Sequence, residues 1–259
     1  QIFGNVSFTC NGNINVTITG TQSLVANSKT FYFSVTSGNR VDNFIINSGA
    51  QFTVNGIFNI NNNAGGGGPY DFTVNGILIM SPTAILSNGT GSQTRFTLNS
   101  GAALQIGSTD GISTTGNTGN IQTGGTRTFN VGANYVYNGT LAQNTGNGYP
   151  SALTGSLTIN NPSGVTLVSA TRTITTGTLN LTNGAFTTNP AGTNRLSLGS
   201  TATVNRSEGS FSGTPQGTGI YNIIYTGNSK TTGPEASGSG LSNVTVALTA
   251  GQTLTLDQV

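Results

Sequence analysis

Six carboxylates make up the whole acidic inventory of this 259-residue chain: Asp42, Asp71, Asp110, Glu208, Glu235 and Asp257. Acid–base cleavage of a glycan needs two such groups facing one bond, flanking it on either side. The six are scattered along the chain, and Glu235 and Asp257 are the nearest two in sequence. A fold that stacks successive turns brings residues one turn apart together, so Glu235 and Asp257 form the one pair with a workable spacing. The plainer reading of the same two residues is a pair of solvated surface acids. Histidine is absent, which removes imidazole as a general base or metal ligand and, with it, the Ser-His-Asp and Cys-His arrangements. No catalytic, metal or cofactor site is expected, and the chain reads as a non-enzyme.

Two other features invite a ligand. The run AGGGGPYD from Ala64 to Asp71 lacks the Lys of a phosphate loop and the repeated GGxGxDx spacing of a calcium-binding roll, so it reads as a loop between turns. Tyr70 at its end and Tyr149 in the loop TGNGYP stand where a ring face could meet a sugar. Tyr135, Tyr137, Tyr221 and Tyr225 sit in strand-like runs, where packing explains them. Threonine forms a third feature: TRTITTGTLNLT from Thr171 to Thr182 resembles the Thr-x-Thr rows that bind ice on some solenoids. Such rows must recur in register on one face through many turns, and the irregular loop lengths here argue against it.

The elements that must position these residues are short and repeated. NYVYNG from Asn134 and NIIYTG from Asn222 begin two stretches that align over more than thirty positions. SLTINNPSGVTL, from Ser156, then matches NVTVALTAGQTL, from Asn243. The offset is about 88 residues, a length at which repetition means stacked units. LQIGST at Leu104 against LSLGST at Leu196 carries a related period back into the first half. One continuous solenoid over 1–259 is expected, with copies near 134–221 and 222–259 and a weaker copy before 134. The opening without Met and a second copy shorter than the first suggest a portion of a longer protein.

Composition agrees with a folded, β-rich chain. Charged residues make up 5 %, against about 25 % in ordinary globular domains. The surface must therefore be Asn, Thr, Ser and Gly. A net charge of +2 without any basic cluster excludes the usual nucleic-acid surface and an anionic membrane as partners. No run of 18 apolar residues is present, so the chain is not expected to span a membrane by a helix. Cys10 is the single cysteine, so no disulfide forms within the chain, and it reads as a small buried residue.

Runs such as FTV, ILIM, LTI and LTL, separated by Gly, Asn, Ser or Thr, are strand signals, and no helical periodicity appears. Seven Asn-Gly pairs could close hairpins. A hairpin at Asn55-Gly56 would however set Phe52 against Asn59 and Phe58 against Thr53, mixing apolar and polar residues on both faces. A solenoid places Phe52 and Val54 inward, turns a corner at Asn55-Gly56 and starts a new side, with corner asparagines hydrogen-bonding from turn to turn. FTVNGIFNI from Phe52 and FTVNGILIM from Phe72 are twenty residues apart, close to one turn, and the long repeat would hold about four turns of roughly 20 to 25 residues. The expected fold is a right-handed parallel β-helix; tandem β-sandwich domains are the alternative.

The unit NYVYNGT…TGNGYP…LTINNPSGVTL…TGTLNLTNG, followed by YTGNSKTTGPE…SGSGLSNVTV…GQTLTLDQ, resembles the repeats of very large secreted surface proteins of Bacteroidetes-type bacteria, best from about Phe129 onward. Some of those are adhesins, and many leave the cell by the type IX secretion route. The resemblance implies a secreted or cell-surface β-helical stalk or filament. Exposed strand edges at the ends of a solenoid can add another copy, so the expected partners are the chain itself, end to end or in a filament, or further domains of the same chain, and surface glycans. The expected role is structural, and a glycan-binding or glycan-cleaving β-helix is the alternative.

Overall fold

The computed structural model describes residues 6–10, 15–24, 29–35, 42–62, 70–88, 94–168, 170–188, 195–217 and 219–257. The chain forms two compact units, 1–130 and 131–259. In both, short strands are linked by corners and stack in parallel, and every described strand pair is parallel. The fold is a parallel β-solenoid. Sandwiches built from hairpins would need antiparallel pairs, so that alternative is set aside.

The first unit has three sheets. One holds Val6–Cys10, Lys29–Val35, Ile57–Asn62, Ile85–Asn88 and Ile121–Gln122; a second holds Asn15–Ile18, Asp42–Ile46, Tyr70–Val74, Arg95–Leu98 and Arg127–Phe129. The third holds Thr21–Leu24, Gln51–Val54, Ile77–Met80 and Ala103–Ile106. Asn55-Gly56 and Asn75-Gly76 each lie between strands of different sheets, as corners. Alternation is strict within a strand: Tyr70, Phe72 and Val74 are buried while Asp71 and Thr73 face out. Asn99 Nδ2 donates to Asn75 Oδ1 at 2.7 Å, a rung of the anticipated asparagine ladder.

Aromatic rings fill this core. Phe44 stacks on Phe72 with centroids 4.9 Å apart and planes 9° apart, Phe72 on Phe96 at 6.0 Å, and Phe58 meets Phe44 and Phe72 edge-on. Phe44, Phe72 and Phe96 are partners in register, one from each of three successive coils. The echo between Phe52 and Phe72 is therefore not one turn. Phe52 pairs with Leu78, in a different sheet from Phe72, and the echo relates two sides of adjacent coils that bury the same apolar pattern.

The second unit repeats the plan with shorter coils. Asn134–Tyr137, Ser156–Asn160, Thr178–Asn183, Thr203–Arg206, Tyr221–Gly227 and Leu241–Leu248 follow one another in one sheet. Gln143–Asn144, Val165–Thr166, Ala185–Thr187 and Ser210–Ser212 form a second sheet, and Ala152–Leu153, Arg172–Ile174, Leu196–Leu198 and Gln216–Gly217 a third. The inward column runs Tyr135, Leu157, Leu179, Val204 and Ile223, in steps of unequal length. Those four steps together make up the long repeat, so the copy from Asn134 holds four coils as expected. The one described helical segment is a 3-10 turn, Pro234–Ser237.

Close stacking explains one glycine by contact rather than by backbone angle. A side-chain carbon at Gly177 would collide with the carbonyl oxygen of Gly155 in the coil beneath. Only hydrogen fits between those two corners.

Candidate functional surface

Neither tyrosine singled out for ligand contact presents a ring to solvent. Tyr70 is 2 % exposed because it opens a strand whose alternate positions, beginning with its own, point inward. Tyr149 is also 2 % exposed; its ring lies edge-on to Tyr135 at 5.7 Å, and its hydroxyl has no protein partner. Burial pushes the Tyr149 phenol well above its ordinary range, with the nearby Arg172 charge opposing the shift. A loop position alone could not reveal this, because the loop TGNGYP folds its tyrosine back under the coil. All six tyrosines with described side chains are buried, as expected for Tyr135, Tyr137, Tyr221 and Tyr225.

The acids are likewise separated by environment. Glu235 is 1 % exposed, and its Oε1 accepts from Arg206 Nη1 at 2.5 Å, from the Gly233 N–H at 3.0 Å and from the Tyr225 hydroxyl at 3.1 Å. The Tyr221 hydroxyl donates to the Glu235 carbonyl at 2.7 Å. Asp257 is exposed, and its backbone N–H donates to Thr232 Oγ1 at 2.8 Å. A pocket of about 340 Å³ beside Asp257 is lined by Tyr225, Thr232, Gly233, Leu241 and Leu256 among others. Glu235 is thus part of the packing, while its sequence-level partner stands in solvent.

Asp71 forms a bidentate surface pair with Arg95 one coil on, both contacts being 2.6 Å. That hydrogen bond raises the Arg95 pKa above its usual value. Glu208, fully exposed, accepts from the backbone and side chain of Asn228 at 3.1 Å, which holds its carboxyl below the ordinary range. The Asp42 side chain, the Cys10 side chain and residues Ala64 to Pro69 of the glycine run lie outside the described residues.

Asp110 borders a polar groove of about 140 Å³ with Ser108, Asn117, Thr118 and Gln122. Beneath this segment, Asn120 is fully buried: its Oδ1 accepts from Gly107 and Ser108 N–H groups at 3.1 and 2.9 Å. Its Nδ2 donates to the Ser81 and Ala84 carbonyls at 3.0 and 2.6 Å. Arg127, 7 % exposed, donates to the carbonyls of Ser113, Gly116 and Thr123. Desolvation lowers its pKa. Sequence reading singled out neither Asn120 nor Arg127, since nothing in their spacing marks them.

The outward side of the first sheet of the second unit carries two rows of side chains. One row runs Asn134, Ser156, Thr178, Thr203, Asn222 and Asn243; a parallel row runs Val136, Thr158, Asn180, Asn205, Ile224 and Thr245. Neither row contains a charge. Rungs are tied by Ser156 Oγ to Asn134 Oδ1 at 2.8 Å, Asn180 Nδ2 to Thr158 Oγ1 at 3.2 Å and Asn243 Nδ2 to Asn222 Oδ1 at 2.9 Å. Alternation along each strand makes this face from the same residues whose neighbours fill the core.

Among the described residues no group of three or more His, Cys, Asp or Glu could hold a metal ion. No described helix is long and apolar enough to cross a membrane. No protein-family model matches the chain, and no curated protein or solved structure matches it.

Proposed function

We propose that this chain is a structural segment of a secreted or cell-surface protein, a β-solenoid stalk or filament element without catalysis. The observation that carries the reading is the four-coil repeat from Asn134 to Asn222, whose coils stay in register although their lengths differ. A chain organised this way adds length by adding coils, each held by neighbours above and below. Continuous parallel ladders satisfy the backbone, and side-chain ladders of Asn, Ser and Thr keep the outside hydrated without charge.

Two further facts support it. Charged side chains with buried partners serve packing, as Glu235 with Arg206 and Arg127 with three carbonyls do. Val244 and Val246 are the register partners of the buried Ile223 and Tyr225 and stand about half exposed, so Leu241–Leu248 continues in sequence the apolar alternation of the strand it covers. The resemblance to repeats of Bacteroidetes-type surface proteins, including adhesins exported by the type IX route, points to the same role. Glycan contact by the stalk remains the alternative function, and it would use surfaces other than the buried tyrosines.

Antibodies raised against the chain should label intact cells of the source organism. Single-molecule pulling on the chain should release length in steps of about one coil, as expected for a quasi-one-dimensional stack. Labelling only after lysis, or turnover of a polysaccharide by the purified chain, would overturn the proposal.

A further inference from the structure

The two outward rows of the second unit form a lattice, and a lattice recognises another lattice. We propose that this face, from Asn134–Tyr137 through Tyr221–Gly227, binds ice. The inference is independent of the stalk reading.

The partner is identified by four physical features. First, the rows are uncharged over every coil they cross, and the chain's eight basic and six acidic residues all lie outside them. An ice plane carries no net charge, and a charged side chain holds a tight hydration shell that must be stripped before the plane can approach. Second, the face combines hydroxyls and methyls: Thr158, Thr178 and Thr203 carry both, Val136 and Ile224 carry methyls, and Asn134, Asn180 and Asn222 carry amides. Methyl groups order the first water layer, and hydroxyl and amide groups anchor it.

Third, spacing is fixed in two directions. Neighbouring parallel strands are about 4.8 Å apart and alternate residues on one strand about 6.6 Å apart, so the face presents a regular two-dimensional grid on which water can be ordered. Coil length varies, which on sequence grounds alone would spoil the rows. The register shows how the variation is absorbed: Thr178 still faces Thr203 across the longest of these steps, and Thr203 still faces Asn222 across the shortest. The extra or missing residues sit in connections away from this sheet.

Fourth, the groups are held in place before any ligand arrives. Ser156 is tied to Asn134 and Asn180 to Thr158 by side-chain hydrogen bonds, while the alternate residues Leu157, Ile159, Leu179 and Leu181 are locked in the core at 1 % exposure or less. A prearranged face loses little freedom on binding. The half-buried setting of Thr158, Thr178, Asn180 and Thr203 presents the tips of the side chains and little else.

The test uses the purified 259-residue chain in ice-recrystallisation and ice-shaping assays. The natural chain should inhibit recrystallisation and facet single ice crystals. Thr158→Tyr and Thr178→Tyr should each raise the concentration needed by roughly tenfold, as expected when a central contact is disrupted. Thr173→Tyr, on the outward side of the third sheet of the same unit, should leave the effect unchanged. Thr158→Lys serves as a second face variant, because its long side chain can leave the surface without disturbing the core; circular-dichroism melts check that each variant is folded. Absence of faceting by the natural chain overturns the proposal. So does an equal loss in the Thr173 variant, or full activity in both folded Thr158 variants.

Discussion

Arg206 Nη1 donates to Glu235 Oε1 at 2.5 Å, joining a strand of one coil to the 3-10 turn Pro234–Ser237, and the acceptor carboxylate is 1 % exposed. Arg206 also donates through Nε to the Gly209 carbonyl at 2.9 Å, so its guanidinium ties a strand end, a corner and that turn together. Glu235 Oε2 is buried with no partner of its own. The pair is therefore a packing element that depends on both members.

Removing one member should cost more than replacing both. Arg206→Met leaves the Glu235 charge buried with only neutral donors, and should destabilise the second unit by about 3 kcal/mol or more. The double variant Arg206→Met with Glu235→Leu should recover much of that loss, since two apolar side chains need no compensating charge. Denaturant titration of the three proteins gives both numbers. Equal stability of the single and double variants would mean that the charges are not coupled.

Alkaline pH should unfold the protein through its buried tyrosines. Burial raises the Tyr221 phenol to about 12 and pushes Tyr135, Tyr137, Tyr149 and Tyr225 higher still. In the unfolded chain a tyrosine ionises near its ordinary value of about 10. A raised native pKa means that the native state holds the proton longer, so this stability is complete below about pH 10 and is lost as pH rises beyond it. Thermal melts should stay level up to that point as far as tyrosine is concerned and then fall steeply. With no histidine in the chain, no step from imidazole is expected between about pH 5 and 8. Ultraviolet titration should show tyrosinate appearing together with unfolding.

Phe72 is the centre of the aromatic column in the first unit, stacked between Phe44 and Phe96 and edge-on to Phe58. Phe72→Ala should cost about 3 to 5 kcal/mol, the range for a large buried ring whose cavity cannot collapse. Thr73→Ala, the outward neighbour on the same strand, should change stability by less than about 0.5 kcal/mol. A chemical-denaturation series separates the two outcomes.

The alternation of Phe52, Val54 and Phe72 with polar neighbours was legible because strand period and burial are local properties. The long repeat was legible because four coils return the chain to the same corner. What escaped was register between coils: the echo from Phe52 to Phe72 looked like one turn, and only pairing reveals that Phe72 belongs over Phe44 and Phe52 beside Leu78. The same limit hid the uncharged rows, because Thr178 and Thr203 become neighbours through connections whose lengths follow no period. The burial of Tyr70 and Tyr149 was hidden for two reasons: Tyr70 already belongs to the strand that follows the glycine run and takes its first inward position, while Tyr149 lies in a loop whose fold against the coil its neighbours in sequence do not encode.

Arg127 provides a separate test, because it holds a loop by charge without any carboxylate contact in its hydrogen-bond set. Its Nε and Nη2 donate to the Thr123 carbonyl at 2.9 and 2.7 Å, Nη1 to Ser113 at 3.0 Å and Nη2 to Gly116 at 2.6 Å. Three carbonyls approach from different directions around one plane, a geometry that a guanidinium matches and an ammonium does not. Arg127→Lys keeps the charge and loses most of these bonds, each worth about 1.5 to 3 kcal/mol when charge-assisted. With partial replacement by water, a net loss of about 2 kcal/mol is expected. The effect should be local. Amides of residues 107–126 should exchange faster with solvent, while those of Arg95–Leu98, whose pairing with Tyr70–Val74 does not involve the guanidinium, should keep their protection. Asn120→Asp should loosen the same segment by another route. A carboxylate oxygen would then face the Ser81 and Ala84 carbonyls that now accept from Nδ2, and two acceptors cannot pair. Hydrogen exchange read by mass spectrometry resolves the segment, and uniform acceleration across the first unit in either variant would show that the loop and the ladder unfold as one.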